Sequence, residues 1–131
     1  MKTTIVIARF LLGFIFLVFG LNGFLHFIPA SMPSGTAGQF IGALFVSHYL
    51  VPIFLLQIIS AVLLLVNRYV PLALTLLAPI IVNILLIHIL MLPSGLPLAI
   101  VVTVLWILVF LSVRSAFEGL WQQRVPARTP E

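Results

Sequence analysis

Residues 10–67 read FLLGFIFLVFGLNGFLHFIPASMPSGTAGQFIGALFVSHYLVPIFLLQIISAVLLLVN, 58 positions without one Asp, Glu, Lys or Arg. After Arg68 the next such residue is Arg114. A small domain keeps much of its surface in contact with solvent. Two uncharged runs of this length therefore have no place in a water-soluble fold of 131 residues. The solvent for this chain is lipid.

Composition agrees. Hydrophobic residues make up 63% of the chain and charged residues 6%, against roughly one quarter charged in soluble domains. The formal charge of +4 rests on six basic and two acidic residues. That is too few for a nucleic-acid surface. Cysteine is absent, which excludes disulfide exchange, thiolate metal sites, iron–sulfur clusters and covalently attached haem. Lys2 ahead of an apolar run resembles the start of a signal peptide. The run is too long for a signal sequence and no small-residue cleavage site follows, so a retained span is expected.

A spanning helix needs about 20 mostly apolar residues to cross ~30 Å of hydrocarbon. The first candidate runs from Ile5 to Ile28 and is stopped by Pro29, with Arg9 able to snorkel to the headgroups. A turn-rich stretch, Ala30 to Gly38, follows. Gln39 to Ser47 is apolar but short, which predicts an interfacial or re-entrant helix. The second span runs from Tyr49 to Val66, with Pro52 in its first turn. Asn67-Arg68-Tyr69-Val70-Pro71 is a tight turn. The third span is Pro71 to Leu92, with a bend expected at Pro79. After the turn Pro93-Ser94-Gly95-Leu96-Pro97, the fourth runs to Phe117.

The predicted fold is all-α: a polytopic membrane protein with four transmembrane helices in a bundle and a short interfacial helix before the second span. Residues 1–117 form the transmembrane domain and 118–131 a cytoplasmic tail. Four spans put both termini on one side, together with Lys2, Arg9, Arg68, Arg114, Arg124 and Arg128. The positive-inside rule makes that side cytoplasmic.

No acidic residue precedes Glu118. Paired-carboxylate chemistry, the usual proton relays and a Ser–His–Asp set are thereby excluded from the membrane. The polar residues left are Asn22, His26, His48, Gln57, Asn83 and His88. All three histidines belong to the outer half. His88 lies ~6 Å below the outer end of its span, and Gln57 and Asn83 lie ~12–14 Å deep. Asn22 and His26, four apart, share a helix face. Asn83 and His88, five apart, do not, unless Pro79 distorts the helix.

Three readings of this set stand side by side. Asn, Gln and His in lipid form hydrogen bonds between helices. They also build small-molecule pockets in bundles, and His26 and His88 suit a quinone-like headgroup, with Asn22, Gln57 and Asn83 beside them. Third, imidazoles with Met32 and Met91 could bind copper, or His26 and His88 could ligate haem iron. The spacing is no recognised ligand motif, and the carboxylates that would orient ligating imidazoles are missing. On the first span Gly13, Gly20 and nearby Gly23 permit close helix packing. With Ala61, the small residues Gly13 and Gly20 also leave room for a flat contact with another membrane subunit.

Several segments carry a resemblance. Arg9-Phe10-Leu11-Leu12-Gly13-Phe14-Ile15-Phe16 and Gly20-Leu21-Asn22-Gly23-Phe24 resemble the first helix of DoxX-like membrane proteins. Gln57 to Leu65, the Asn67-Arg68-Tyr69-Val70-Pro71 turn, and Pro79, Asn83 and His88 look like the second helix, turn and third helix of that family. The resemblance covers Arg9 to roughly Phe117. It implies a four-helix protein of the bacterial inner membrane. Some members are the small subunit of thiosulfate:quinone oxidoreductase. Two positions depart: many members carry Glu where this chain has Gln57, and Lys near Gly23.

The expected role is a non-catalytic or quinone-binding small subunit of a larger membrane redox complex, partnered by other membrane subunits or by copies of itself. The alternatives are a stand-alone quinone-, haem- or metal-binding oxidoreductase component and a small-molecule transporter.

Overall fold

The computed structural model describes residues 2–128. Residues 129–131 of the expected tail lie outside them. Every regular element among the described residues is helical. In chain order these are α1 (Lys2–Leu25), α2 (Gly35–Val46), α3 (Leu50–Val66), α4 (Val70–Leu90) and α5 (Leu96–Val113). A 3-10 turn at Pro93–Gly95 precedes α5, and another, Arg114–Trp121, follows it.

Helices α1, α4 and the α5 unit are long and apolar enough to cross a membrane. Helix α3 has 17 residues, ~26 Å at 1.5 Å per residue, the short end of a span. It completes a four-helix bundle in which α1 packs on α3, α3 on α4, α4 on α5, and α5 back on α1. Helix α2 is bent 85° from α3, so it lies across the end of the bundle as the short helix expected before the second span. It begins at Gly35 rather than Gln39, because Gly35 takes φ +69 and turns the chain four residues earlier.

The α1–α3 contact follows from its glycines. A methyl group at Gly13 would stand 3.0 Å from Leu65 Cγ and 3.2 Å from the Ala61 carbonyl, and one at Gly20 would stand 2.9 Å from Ile58 Cγ1. At Gly23 it would overlap the Phe54 ring. Without side chains at these positions the two backbones approach closely, which is what holds helices together in lipid. The expected contact of Gly13, Gly20 and Ala61 with a second subunit is therefore corrected. These residues are occupied inside the bundle, and Ala61 is fully buried.

Two polar ties cross the bundle. The Trp106 indole N–H donates to the Leu74 carbonyl at 3.0 Å, and its ring stacks on Phe110 at 5.1 Å. The Arg9 guanidinium donates to the Leu64 carbonyl. It thus caps the C-terminal end of α3, where the helix dipole favours a cation.

The ends of the bundle differ. The buried core is drawn from Ala8, Leu12 and Phe16 of α1, Ala61 and Leu64 of α3, Val70 to Ile81 of α4, and Val102 to Val109 of α5. Most of these lie in the half that also carries Lys2, Arg9, Arg68 and Arg114, with Phe16, Ile81 and Val102 at mid-bundle. The opposite half, where α1 and α4 end and α3 and α5 begin, contributes almost nothing to the core.

Candidate functional site

The hollow half of the bundle holds a cavity of about 770 Å³. Its floor is buried: Phe16, Gln57, Ala99 and Val102. Its rim is the exposed stretch His26 and Pro29 to Met32. Of the residues singled out from sequence, Asn22, His26, Gln57 and His88 all line it. Asn83 does not. Its side chain is exposed on the outside of α4, and its amide donates to the Pro79 carbonyl at 2.8 Å. The carbonyl lies one turn back on the same helix. A five-residue step separates Asn83 from His88 around α4, so only His88 can face inward. Asn83 is removed from the candidate site.

The local backbone explains how each wall group is presented. Helix α1 ends at Leu25, three residues before the expected Ile28. His26 then adopts φ 52, and its N–H closes a bond of 2.9 Å to the Asn22 carbonyl. This is a left-handed helix cap. The Asn22 side-chain oxygen accepts from the Ile28 N–H at 2.7 Å. Asn22 and His26 therefore do not share a helix face, contrary to the spacing argument. Asn22 instead ties down the turn that carries His26 to the rim.

The α2–α3 junction repeats the device. His48 has φ 59. Its N–H donates to Phe45 and that of Tyr49 to Leu44, each at 3.1 Å. His26 and His48 together line a second, smaller cavity of about 330 Å³. Glycine is the residue that accepts this conformation without strain. His26→Gly and His48→Gly are each expected to stabilise the protein by about 1 kcal/mol. Thermal unfolding in detergent checks this; a lower midpoint in both variants would show that the imidazoles contribute more than the strain they carry.

His88 sits near the end of α4, half-buried. Its Nδ1 bonds the Ile84 carbonyl at 2.8 Å. Its Nε2 and Cδ2 edge rests on Gly95, where an added methyl would overlap both atoms. Gly95 in the second turn is thus part of the site, and the sequence marked it only as a turn residue. Gly38 plays a similar part for the rim. A methyl there would overlap the Pro33 carbonyl, so the absence of a side chain lets the 29–33 loop fold back over the cavity. Phe54, whose ring lies against Gly23 and meets Phe24 edge-on at 6.1 Å, walls both cavities.

Gln57 is only 7% exposed, yet its amide has no hydrogen-bond partner among the described residues. The one side-chain polar atom there that is both fully enclosed and unpaired is Ser60 Oγ, one turn further along α3. The Gln57 amide therefore reaches the cavity surface. Of the copper set, the large cavity takes His26, His88 and Met32 and leaves His48 and Met91 outside. Among the described residues no three His, Cys, Asp or Glu cluster tightly enough to hold a metal ion. The arrangement is a deep apolar chamber with a few polar ends and no charged group on its wall. It can bind and orient a neutral amphiphile, and it offers no carboxylate for proton abstraction. Compared with known proteins, the chain matches no family model, no curated protein and no solved structure.

Proposed function

We propose that this protein is a DoxX-like membrane subunit that binds a quinone-class molecule and leaves the redox chemistry to a partner. The observation that carries the reading is the half-hollow bundle. A cavity of about 770 Å³ falls in the range of small-molecule sites, ~300–1,000 Å³, and has their composition: apolar walls with few polar groups. Asn22, Gln57 and His88 meet the oxygens of the ring, while Phe19, Phe45 and Met32 line a path for an apolar tail towards the rim. A ligand of this kind replaces the packing contacts that the hollow half lacks.

The chain supplies binding and orientation, and the bound molecule carries the electrons. It has no cysteine, and no carboxylate precedes Glu118. The electron donor or acceptor is then a second membrane polypeptide. Haem held by His26 and His88 is the weaker reading, since one ring sits on the exposed rim and the other is tied through Nδ1.

Titration of the protein in lipid nanodiscs with a short-chain benzoquinone tests the reading. Saturable binding at one site, weakened in Gln57→Leu, is expected. Uptake that rises linearly and equals that of empty nanodiscs contradicts it.

The membrane in question is the bacterial inner membrane, with both termini cytoplasmic and the cavity in the outer half. The chain contains no native cysteine, so single reporters are clean. In intact cells Ser34→Cys is expected to react with an impermeant maleimide and Gln123→Cys only after permeabilisation. The reverse pattern would invert the topology.

A further inference from the structure

Two side chains on the cavity wall have a fixed direction of hydrogen bonding, because the other end of each is held by the backbone. The Ile84 carbonyl can only accept, so its 2.8 Å bond places the proton of His88 on Nδ1. In the neutral ring, Nε2 is then a bare acceptor. The Ile28 N–H can only donate, so its 2.7 Å bond fixes the Asn22 oxygen as acceptor. The Asn22 Nδ2 group is left as a donor. Neither Nε2 nor Nδ2 has a hydrogen-bond partner among the described residues, and both residues line the cavity. The Gln57 amide is tied to nothing and offers both a donor and an acceptor.

We propose that this fixed acceptor and fixed donor make the cavity select the reduced, dihydroxy form of its ligand, the quinol, over the quinone. The inference rests on the quinone-class reading above. A quinone presents two carbonyl oxygens that only accept. They can be met by Asn22 Nδ2 and by the Gln57 amide N–H. Nothing on a quinone can satisfy His88 Nε2, and an oxygen placed there sets lone pair against lone pair. A quinol hydroxyl donates to Nε2. Its second hydroxyl accepts from Asn22 Nδ2 and donates to the Gln57 oxygen. The reduced ligand thus makes three hydrogen bonds and the oxidised ligand two, and the oxidised ligand covers His88 Nε2 without satisfying it.

Gly95 makes the selection sharper. Its bare α-carbon is what lets the Nε2–Cδ2 edge of the imidazole come up against the second turn, so the ring is held by packing along that edge and by the Ile84 bond at Nδ1. Were the ring free to turn, Nδ1 could serve either partner and the preference would blur.

The test compares a short-chain benzoquinone with its quinol, kept reduced under anaerobic conditions, on the protein in nanodiscs. The quinol is expected to bind about tenfold more tightly, one hydrogen bond's worth of discrimination. The midpoint potential of the bound pair should then rise by about 30 mV for a two-electron couple. His88→Asn separates Nε2 from the rest of the ring. Its amide can hold the Ile84 carbonyl, as Asn83 already holds Pro79 on the same helix at 2.8 Å, but it has nothing in the place of Nε2. In this variant the quinol affinity should fall about tenfold and the quinone affinity stay within about threefold, bringing the two together. Equal or tighter binding of the quinone by the wild type overturns the proposal. So does a preference that survives His88→Asn. If neither form binds, the quinone-class reading itself fails and the proposal with it.

Discussion

Gln57→Leu is expected to stabilise the ligand-free protein and to weaken ligand binding about tenfold, two effects of opposite sign from one substitution. Gln57 is 7% exposed and walled by Gly20 and Phe16 on α1. In the empty cavity its amide has no protein partner. Leucine fills a similar volume without polar atoms and removes a desolvation cost of about 1 kcal/mol or more. The ligand, in turn, loses the one wall group able to adapt to either of its oxygens. Thermal unfolding and quinone titration on the same preparation check both halves. A residue kept only for packing would give unchanged binding, and one kept to join helices would give a less stable variant.

The second large effect is expected at Gly95, a turn residue on the cavity lining that packs against His88. Its backbone, φ −90 and ψ 0, is open to alanine, so Gly95→Ala brings no backbone strain. The new methyl instead overlaps the Nε2 and Cδ2 atoms of His88. The ring must leave its place or the turn must shift, at an overpacking cost of about 1–3 kcal/mol. Quinol affinity should fall about ten- to a hundredfold as the Nε2 acceptor is lost and the wall deforms. Gly42→Ala is the matched control. Gly42 lies inside α2 with open space around it, and alanine there should leave binding unchanged and stabilise the helix by about 0.5–1 kcal/mol. Equal binding losses in both variants would show that the effect at Gly95 is not local.

The spans were legible because lipid leaves so few choices. Charge-free runs, with proline and Asn-Arg-Tyr turns between them, put α3 within one residue of its position and α4 within two. The end of α1 was read three residues late. Pro29 only forbids helix beyond it, whereas the true stop is His26 in a left-handed turn held by the Asn22 side chain. Histidine is enriched in that conformation but announces a cap far less reliably than glycine.

The polar residues were found because they are rare in this composition, and helical spacing separated Asn83 from His88. Spacing could not say which of them faced inward, since the third span is apolar all round and its hydrophobic pattern names no face. Gly95, Gly38 and Phe54 were not legible as site residues at all. Each acts through a contact far along the chain or across a turn: Gly95 with His88, Gly38 with the Pro33 carbonyl, Phe54 with Gly23. Glycine in a turn sequence announces only a turn. The solid and hollow halves of the bundle were equally hidden, because Leu, Ile and Phe fill both and only their meeting across four helices decides where space remains.

If the hollow half of the bundle is a small-molecule site, its ligand should travel with the protein. Organic extraction and mass spectrometry of protein purified in mild detergent, with wild type and Gly95→Ala handled in parallel, measure this. About one quinone-class molecule per chain in the wild type is predicted, a single saturable site, with a large loss from Gly95→Ala. Equal amounts in both preparations, or a wild type that carries lipid alone, would contradict the account.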